Sequence, residues 1–276
     1  MIKSLAFDGF GPNCTKCKDG LTAPFPFTMA FQPIVDVEAA RVFAYEALVR
    51  GPLNEPAADV LAQVTRANRY SFDQACRVKA ITLAANLGLP ATGAYLSVNF
   101  MPGAVYSPAA CINLTLETAG RLSFPLDRLI FEITEGERVE DRAHLVAIAR
   151  EYNRHGFKMA IDDFGAGYSG LNLLADIEAH VVKLDRGLIQ NIHLRPTATA
   201  IVEAMVQLGA RLQVSVVAEG VETVEEFAAL RHCGITLMQG FLIARPAFEA
   251  LPEFSLPCAI DFDPDEQLRR QTEAVA

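Results

Sequence analysis

The chain has 276 residues, 51% of them hydrophobic and 21% charged, so it can bury a large core and is neither disordered nor fibrous. Its formal net charge of −9 argues against DNA or other non-specific nucleic-acid binding, which rests on Lys and Arg neutralising phosphates, and an anionic substrate would need local help. No apolar run reaches the roughly 18 residues needed to cross a bilayer and the start, MIKSLAFDGFG, lacks a signal peptide's apolar stretch, so no membrane contact, a cytoplasmic location and mostly reduced cysteines are expected.

Residues 1–26 contain Gly9, Gly11, Pro12, Gly20, Pro24 and Pro26 with no sustained period, and read as an N-terminal extension. It carries the single CxxC pair, Cys14 and Cys17, open to three readings: zinc shared with other cysteines or a second copy, a redox pair, or ordinary thiols. The core, 27–255, opens with two apolar β-branched runs, TMAFQPIV and VFAYEALV, followed by helical patterns over 57–69 and 71–87. Strand-like AYLSVNF, LIFEIT, FKMAIDDF, HVVKLD, LQVSVVAEG and ITLMQGFL follow, with helical segments at 141–154, 196–210 and 223–232 between them. Residues 256–276 turn polar and read as a peripheral tail. Eight near-continuous apolar strands alternating with helices imply a parallel α/β sheet covered on both faces, and favour closure into a (β/α)8 TIM-like barrel over a doubly wound open sheet.

The ends of the apolar runs carry Glu46, Asn99, Glu132, Asp162 with Asp163, Lys183, Glu219 and Gln239. In a barrel these ends converge on one mouth, so residues far apart in sequence would face one cavity. Five carboxylates there, with Glu222 three residues beyond Glu219, cannot all stay ionised without cations. All-oxygen ligands, an Asn carbonyl included, point to Mg²⁺ or Mn²⁺ rather than Zn²⁺. Adjacent Asp162 and Asp163 suit two ions about 4 Å apart, the geometry of in-line displacement at phosphorus, which predicts phosphodiester or phosphate chemistry.

Competing motifs are weaker. Gly165–Gly170 formally matches GxGxxG, but two aspartates directly before it would repel a pyrophosphate, and a mobile glycine-hinged loop is the better reading. Ser169 fails the GxSxG pattern because Leu171 stands at the second glycine, and no HExxH or Walker A sequence occurs. The five histidines fall on helical segments or strand starts and are assigned surface or packing roles.

The string YEALVRG resembles the signature of the EAL-domain family of cyclic di-GMP-specific phosphodiesterases, as do FQPIVD, SVNFMP, FEITEGE, IDDFGAGYSGL, VKLD, VVAEGVET and MQGFLIARP, in order over about residues 28–247. The resemblance implies a modified barrel whose first strand is antiparallel to the rest. It implies Glu46, Asn99, Glu132 and Asp162 as ligands of a first Mg²⁺ or Mn²⁺, Asp162, Asp163 and Glu219 as ligands of a second, and Lys183 beside the attacking water. Glu219 and Glu222 are alternative groups to polarise that water. Arg50 resembles a phosphate contact, Gln32 and Gln239 line the mouth, Asp185 resembles a supporting acid, and Glu135 resembles the anchor of the DDFG loop. The ligand set departs nowhere from the pattern, whereas Gly51 stands where many members have Trp, and Ala166 and Gly170 replace frequent Thr and Ser.

The function so implied is metal-dependent hydrolysis of cyclic di-GMP to linear pGpG, inhibited by Ca²⁺, whose longer coordination misfits a Mg²⁺ site. The alternatives are a catalytically weak cyclic di-GMP binding module that signals by conformation, or a scaffold with a vestigial site. A homodimer through Leu171–Asp176, and a separate sensor or regulatory protein, are the implied partners.

Overall fold

The computed structural model describes residues 23–134, 142–167 and 170–257. β1 (Thr28–Asp36) and β2 (Arg41–Arg50) form an antiparallel pair, and β3 (Tyr95–Asn99), β4 (Leu129–Thr134), β5 (Lys158–Phe164), β6 (Val181–Leu184), β7 (Ser215–Ala218) and β8 (Leu237–Met238) follow in parallel. β8 then pairs antiparallel with β1, closing the eight strands into a barrel with its first strand reversed, as expected. A ninth strand, Ala247–Phe248, pairs with β1 at Ala30 and Phe31; two residues are too few for strand periodicity to register in sequence.

Helices α1 (Arg69–Asn86), α2 (Asn113–Arg121), α3 (Arg142–Arg154), α4 (Gly170–Asp176), α5 (Pro196–Leu212) and α6 (Val224–His232) connect the strands. α5 starts on Pro196 within its first turn, where a missing N–H costs nothing. α6 starts on a capping box: Thr223 Oγ1 accepts from the Glu226 amide at 3.2 Å and the Glu226 carboxylate accepts from the Thr223 amide at 3.2 Å. The helix expected over 57–69 shrinks to one turn at Ala57–Leu61. Asn68 diverts the rest, accepting from the Thr65 amide at 2.6 Å and donating to the Gln63 carbonyl at 3.0 Å.

Inside the barrel, Ile34, Ala44, Ile130, Ala160, Val181, Val217 and Leu237 form an apolar plug, with Tyr95 packed against it. Two residues on, and therefore on the same inward face, the strands and their C-terminal ends place Glu46, Ser97, Glu132, Asp162, Lys183, Glu219 and Gln239. Reversed β1 supplies Gln32, which precedes Ile34 by the same two residues and pairs in register with Glu46. The barrel interior is thus an apolar lower layer under a polar upper one.

The larger core lies between strands and helices. Phe25, within the expected extension, joins it by stacking on Phe72 at 5.4 Å between ring centroids. At the other end Leu251, Phe254 and Leu256 also pack on it, and Tyr45 Oη donates to the Pro252 carbonyl at 3.2 Å. Cys14, Cys17 and the polar tail from 258 onward lie outside the described residues.

Candidate active site

Lys183 stands at the centre of the upper layer, 1% exposed. Its Nζ lies 2.8 Å from Glu132 Oε2, 2.6 Å from Glu219 Oε1, 3.1 Å from Asp162 Oδ1 and 3.4 Å from Glu46 Oε2. Gln239 Nε2 donates to Glu46 Oε2 at 2.8 Å and to Gln32 Oε1 at 3.4 Å, and Gln32 Nε2 donates to the Ala244 carbonyl at 3.0 Å. Asn99, exposed at the rim, donates Nδ2 to Glu46 Oε1 at 3.0 Å.

Neighbours on a regular strand face opposite ways, which would send Asp163 out of the mouth. The β5–β6 register shifts between Ile161 and Phe164, and Asp163 has a φ of +53°, a left-handed conformation that Asp tolerates. This bulge brings both aspartates to one site. Carboxylate oxygens of Glu46, Glu132 and Asp162 lie within 4.8 Å of one another, as do those of Asp162, Asp163 and Glu219, so two trios share Asp162.

One ammonium cannot balance five carboxylates. Burial pushes the Glu132 carboxyl up to about 8 against the pull of Lys183, with Glu46 and Asp162 adding to the rise. Burial also raises Glu219 well above the usual carboxylate range. Asp163 goes up to about 6 through burial and then the charges of Asp162 and Asp185. Lys183 is raised instead, because its four acids outweigh the cost of burying it. Asp162 Oδ1 is buried and, beyond its ion pair with Lys183, accepts no well-directed hydrogen bond. Surplus negative charge and hard oxygen donors fit divalent cations of the Mg²⁺ and Mn²⁺ class.

The remaining expected residues are placed less centrally. Arg50 is half-buried within the field of Glu46 and donates Nη1 to the Val49 carbonyl at 2.7 Å. Asp185 caps a four-residue helical turn, accepting from the Gly187 amide at 2.8 Å. Glu222 is not among the two trios: its carboxylate is half-exposed and taken by Arg186, with Nη2 2.8 Å from Oε2. Glu135 lies outside the described residues. At Gly51, which stands where many members have Trp, an added Cβ would meet Glu55 Oε2 at 2.2 Å, so the 51–55 turn leaves no room for the larger side chain without moving Glu55.

Ser97, not among the residues expected at the mouth, joins the site: its buried Oγ donates to Glu132 Oε1. Its strand face is legible in the sequence, since Ser97 lies two residues before Asn99.

A family model described as "EAL domain" matches residues 26–246. Among solved structures, a standalone versatile EAL protein from Vibrio cholerae O395 in a c-di-GMP bound form is 51% identical, with a TM-score of 0.81 over 85% of this chain and 98% of that one. Klebsiella pneumoniae BlrP1 in a manganese and cy-diGMP complex is 34% identical, with a TM-score of 0.81 over 86% of this chain and 60% of that one. The Escherichia coli (strain K12) probable cyclic di-GMP phosphodiesterase PdeG is 33% identical over 159 residues, 56% of this chain and 30% of that protein. The chain spans between 19% and 56% of the length of the first curated relatives it matches.

Proposed function

The chain belongs to the EAL-domain family, and from that membership we propose that it is a metal-dependent phosphodiesterase that hydrolyses cyclic di-GMP to linear pGpG. The observation that carries this reading is the pair of carboxylate trios sharing Asp162, with Lys183 between them. The names of similar proteins support it: a cyclic di-GMP phosphodiesterase and two cyclic di-GMP complexes, one with manganese.

Glu46, Asn99, Glu132 and Asp162 would hold one Mg²⁺ or Mn²⁺, and Asp162, Asp163 and Glu219 a second. When bound, such ions supply Lewis-acid activation of water and screening of phosphate charge. Lys183, kept as an ammonium by its carboxylates, orients the attacking water and offsets negative charge developing at phosphorus. Glu219, 2.6 Å from that ammonium, is the better placed of the two candidate glutamates to polarise the water; Glu222 is engaged by Arg186. Arg50 contacts phosphate, Gln32 and Gln239 line the substrate's end of the mouth, Asp185 supports the Lys183 region, and Glu135 anchors the DDFG loop.

The barrel over 27–255, between an extension and a tail, works in the cytoplasm as a homodimer under a separate sensor or regulatory protein. No helix among the described residues is long and apolar enough to cross a membrane. Leu171, 63% exposed at the start of α4, is the expected centre of the dimer contact.

The test is product analysis after incubation of cyclic di-GMP with the purified chain and Mg²⁺, Mn²⁺ or Ca²⁺. Linear pGpG with the first two ions and none with Ca²⁺ is expected. Binding without turnover would make the chain a conformational receptor instead.

A further inference from the structure

Behind the site, on the outer side of β3 and β4, lies a second buried charged group. Asp73 and Arg77 of α1 are 2% and 0% exposed, with Arg77 Nη2 2.7 Å from Asp73 Oδ2. The guanidinium is boxed by Phe100, Phe131 and Tyr152, whose ring centroids lie 5.2, 5.3 and 5.6 Å away, and it donates to Tyr152 Oη. Asp73 Oδ1 accepts from the Met101 amide at 2.8 Å.

The chain positions of these contacts give them their meaning. Met101 and Phe100 directly follow Asn99, and Phe131 directly precedes Glu132. Asn99 and Glu132 are register partners across β3 and β4, and the Phe100 amide donates to the Glu132 carbonyl at 3.2 Å. One α1 turn therefore grips the backbone just beyond Asn99 and the ring just before Glu132, on the wall opposite the carboxylates.

We propose that Asp73, held by Arg77, is a positioning residue for the metal site: its bond to the Met101 amide fixes where β3 ends and so where Asn99 meets Glu46. This rests on the metal-site reading above. A buried ion pair adds little stability compared with well-packed apolar residues of like size, so the pair can be removed without removing the fold. Loss of the Met101 anchor would instead loosen a rim residue whose carbonyl is one of the proposed ligands.

The experiment compares two charge-neutral double variants by direct Mn²⁺ binding, read from the paramagnetic resonance of free Mn²⁺, with no substrate present. Asp73→Asn with Arg77→Met keeps an Oδ1 acceptor for Met101; Asp73→Leu with Arg77→Met removes it. The first is expected to bind Mn²⁺ within about threefold of wild type and the second about tenfold or more weaker, the usual cost of losing a residue that supports a ligand. In an Asn99→Ala background the two double variants should no longer differ, because the effect passes through Asn99. Should the Leu variant not fold, Asp73→Glu with Arg77 retained is compared with wild type instead, keeping the ion pair while moving the acceptor by one methylene. Equal Mn²⁺ affinity in the acceptor-keeping and acceptor-lacking proteins, or a difference that persists without Asn99, overturns the proposal alone. A wild-type chain that binds no Mn²⁺ overturns the metal reading and the proposal with it.

Discussion

On the outer side of β3 and β4, Arg77 has one carboxylate partner and three aromatic walls; on the inner side of the barrel, Lys183 has four carboxylates and an open mouth beyond them. Both cations are almost fully buried. Their surroundings follow opposite rules. The outer group is neutral overall, with Arg77 held more firmly charged by Asp73 and Tyr152. The inner group sets five carboxylates around one ammonium; burial, which raises Asp73 in the outer pair as well, is the first cause of the rise at Glu132, Asp163 and Glu219, and neighbouring acids add to it there. The contrast separates a balanced pair that holds the end of β3 in place from a cluster suited to chemistry: burial alone does not mark a candidate reaction site, while buried charge without matching counter-charge points to one.

The largest test of that contrast removes one surplus acid. Glu46→Gln or Asp163→Asn should lower cyclic di-GMP hydrolysis by about 10²–10³-fold or more, measured as pGpG formed at saturating Mg²⁺. The thermal midpoint of the metal-free protein should stay level or rise, since like-charge repulsion is relieved. A midpoint that falls along with activity would mean the acids serve the fold as well. Asp163→Asn is a clean probe because Asn also accepts the left-handed backbone at this bulge.

The mirror experiment breaks the balanced pair. Arg77→Met alone leaves the Asp73 carboxylate buried without its cation, and unfolding in denaturant should show a loss of about 3–5 kcal/mol. The Asp73→Asn, Arg77→Met double variant should recover most of it. Equal loss in both proteins would assign the cost to packing of the arginine side chain instead of to the unpaired charge.

A smaller effect is expected from the apolar layer below the site. Ile130→Val trims the plug by one methylene and should cost about 0.5–1.5 kcal/mol in the same unfolding measurement. The rate per folded molecule should not change, because Glu132 two residues above is held by Ser97 and Lys183. A change in rate would show that the two layers are mechanically coupled.

The least effect is expected at the rim. Glu222→Gln frees Arg186 but touches neither carboxylate trio, and should lower turnover by less than about tenfold, below the range of a lost general base. A loss as large as that of Glu219→Gln, measured in parallel, would return Glu222 to the water-polarising role.

Much of this was readable from residue order. The eight apolar runs, the reversed first strand implied by family motifs, and the polar residue at each strand end all appear in the sequence, because strand periodicity and motif spacing are local properties. The class of metal these donors suit was readable too, from donor chemistry alone. Apolar spacing predicts a longer helix than the one turn at 57–61, because it does not report the Asn68 side chain that closes a loop on Thr65 and Gln63. Ser97 carries no signal of its own although its strand face is legible, since a lone Ser in an apolar strand acquires meaning only with Glu132 beside it.

What the sequence determined by itself was the barrel and the kinds of side chain at its mouth. Tertiary structure decided which of them meet. Asp162 and Asp163 share a site through a bulge whose register depends on the neighbouring strand, Glu222 leaves the cluster for Arg186 on another loop, and Asp73 reaches the Asn99 segment from a helix earlier in the chain. Each of these rests on contacts between residues more than twenty positions apart or on strand pairing, and a linear pattern carries side-chain type and spacing along the chain but not the distances across it.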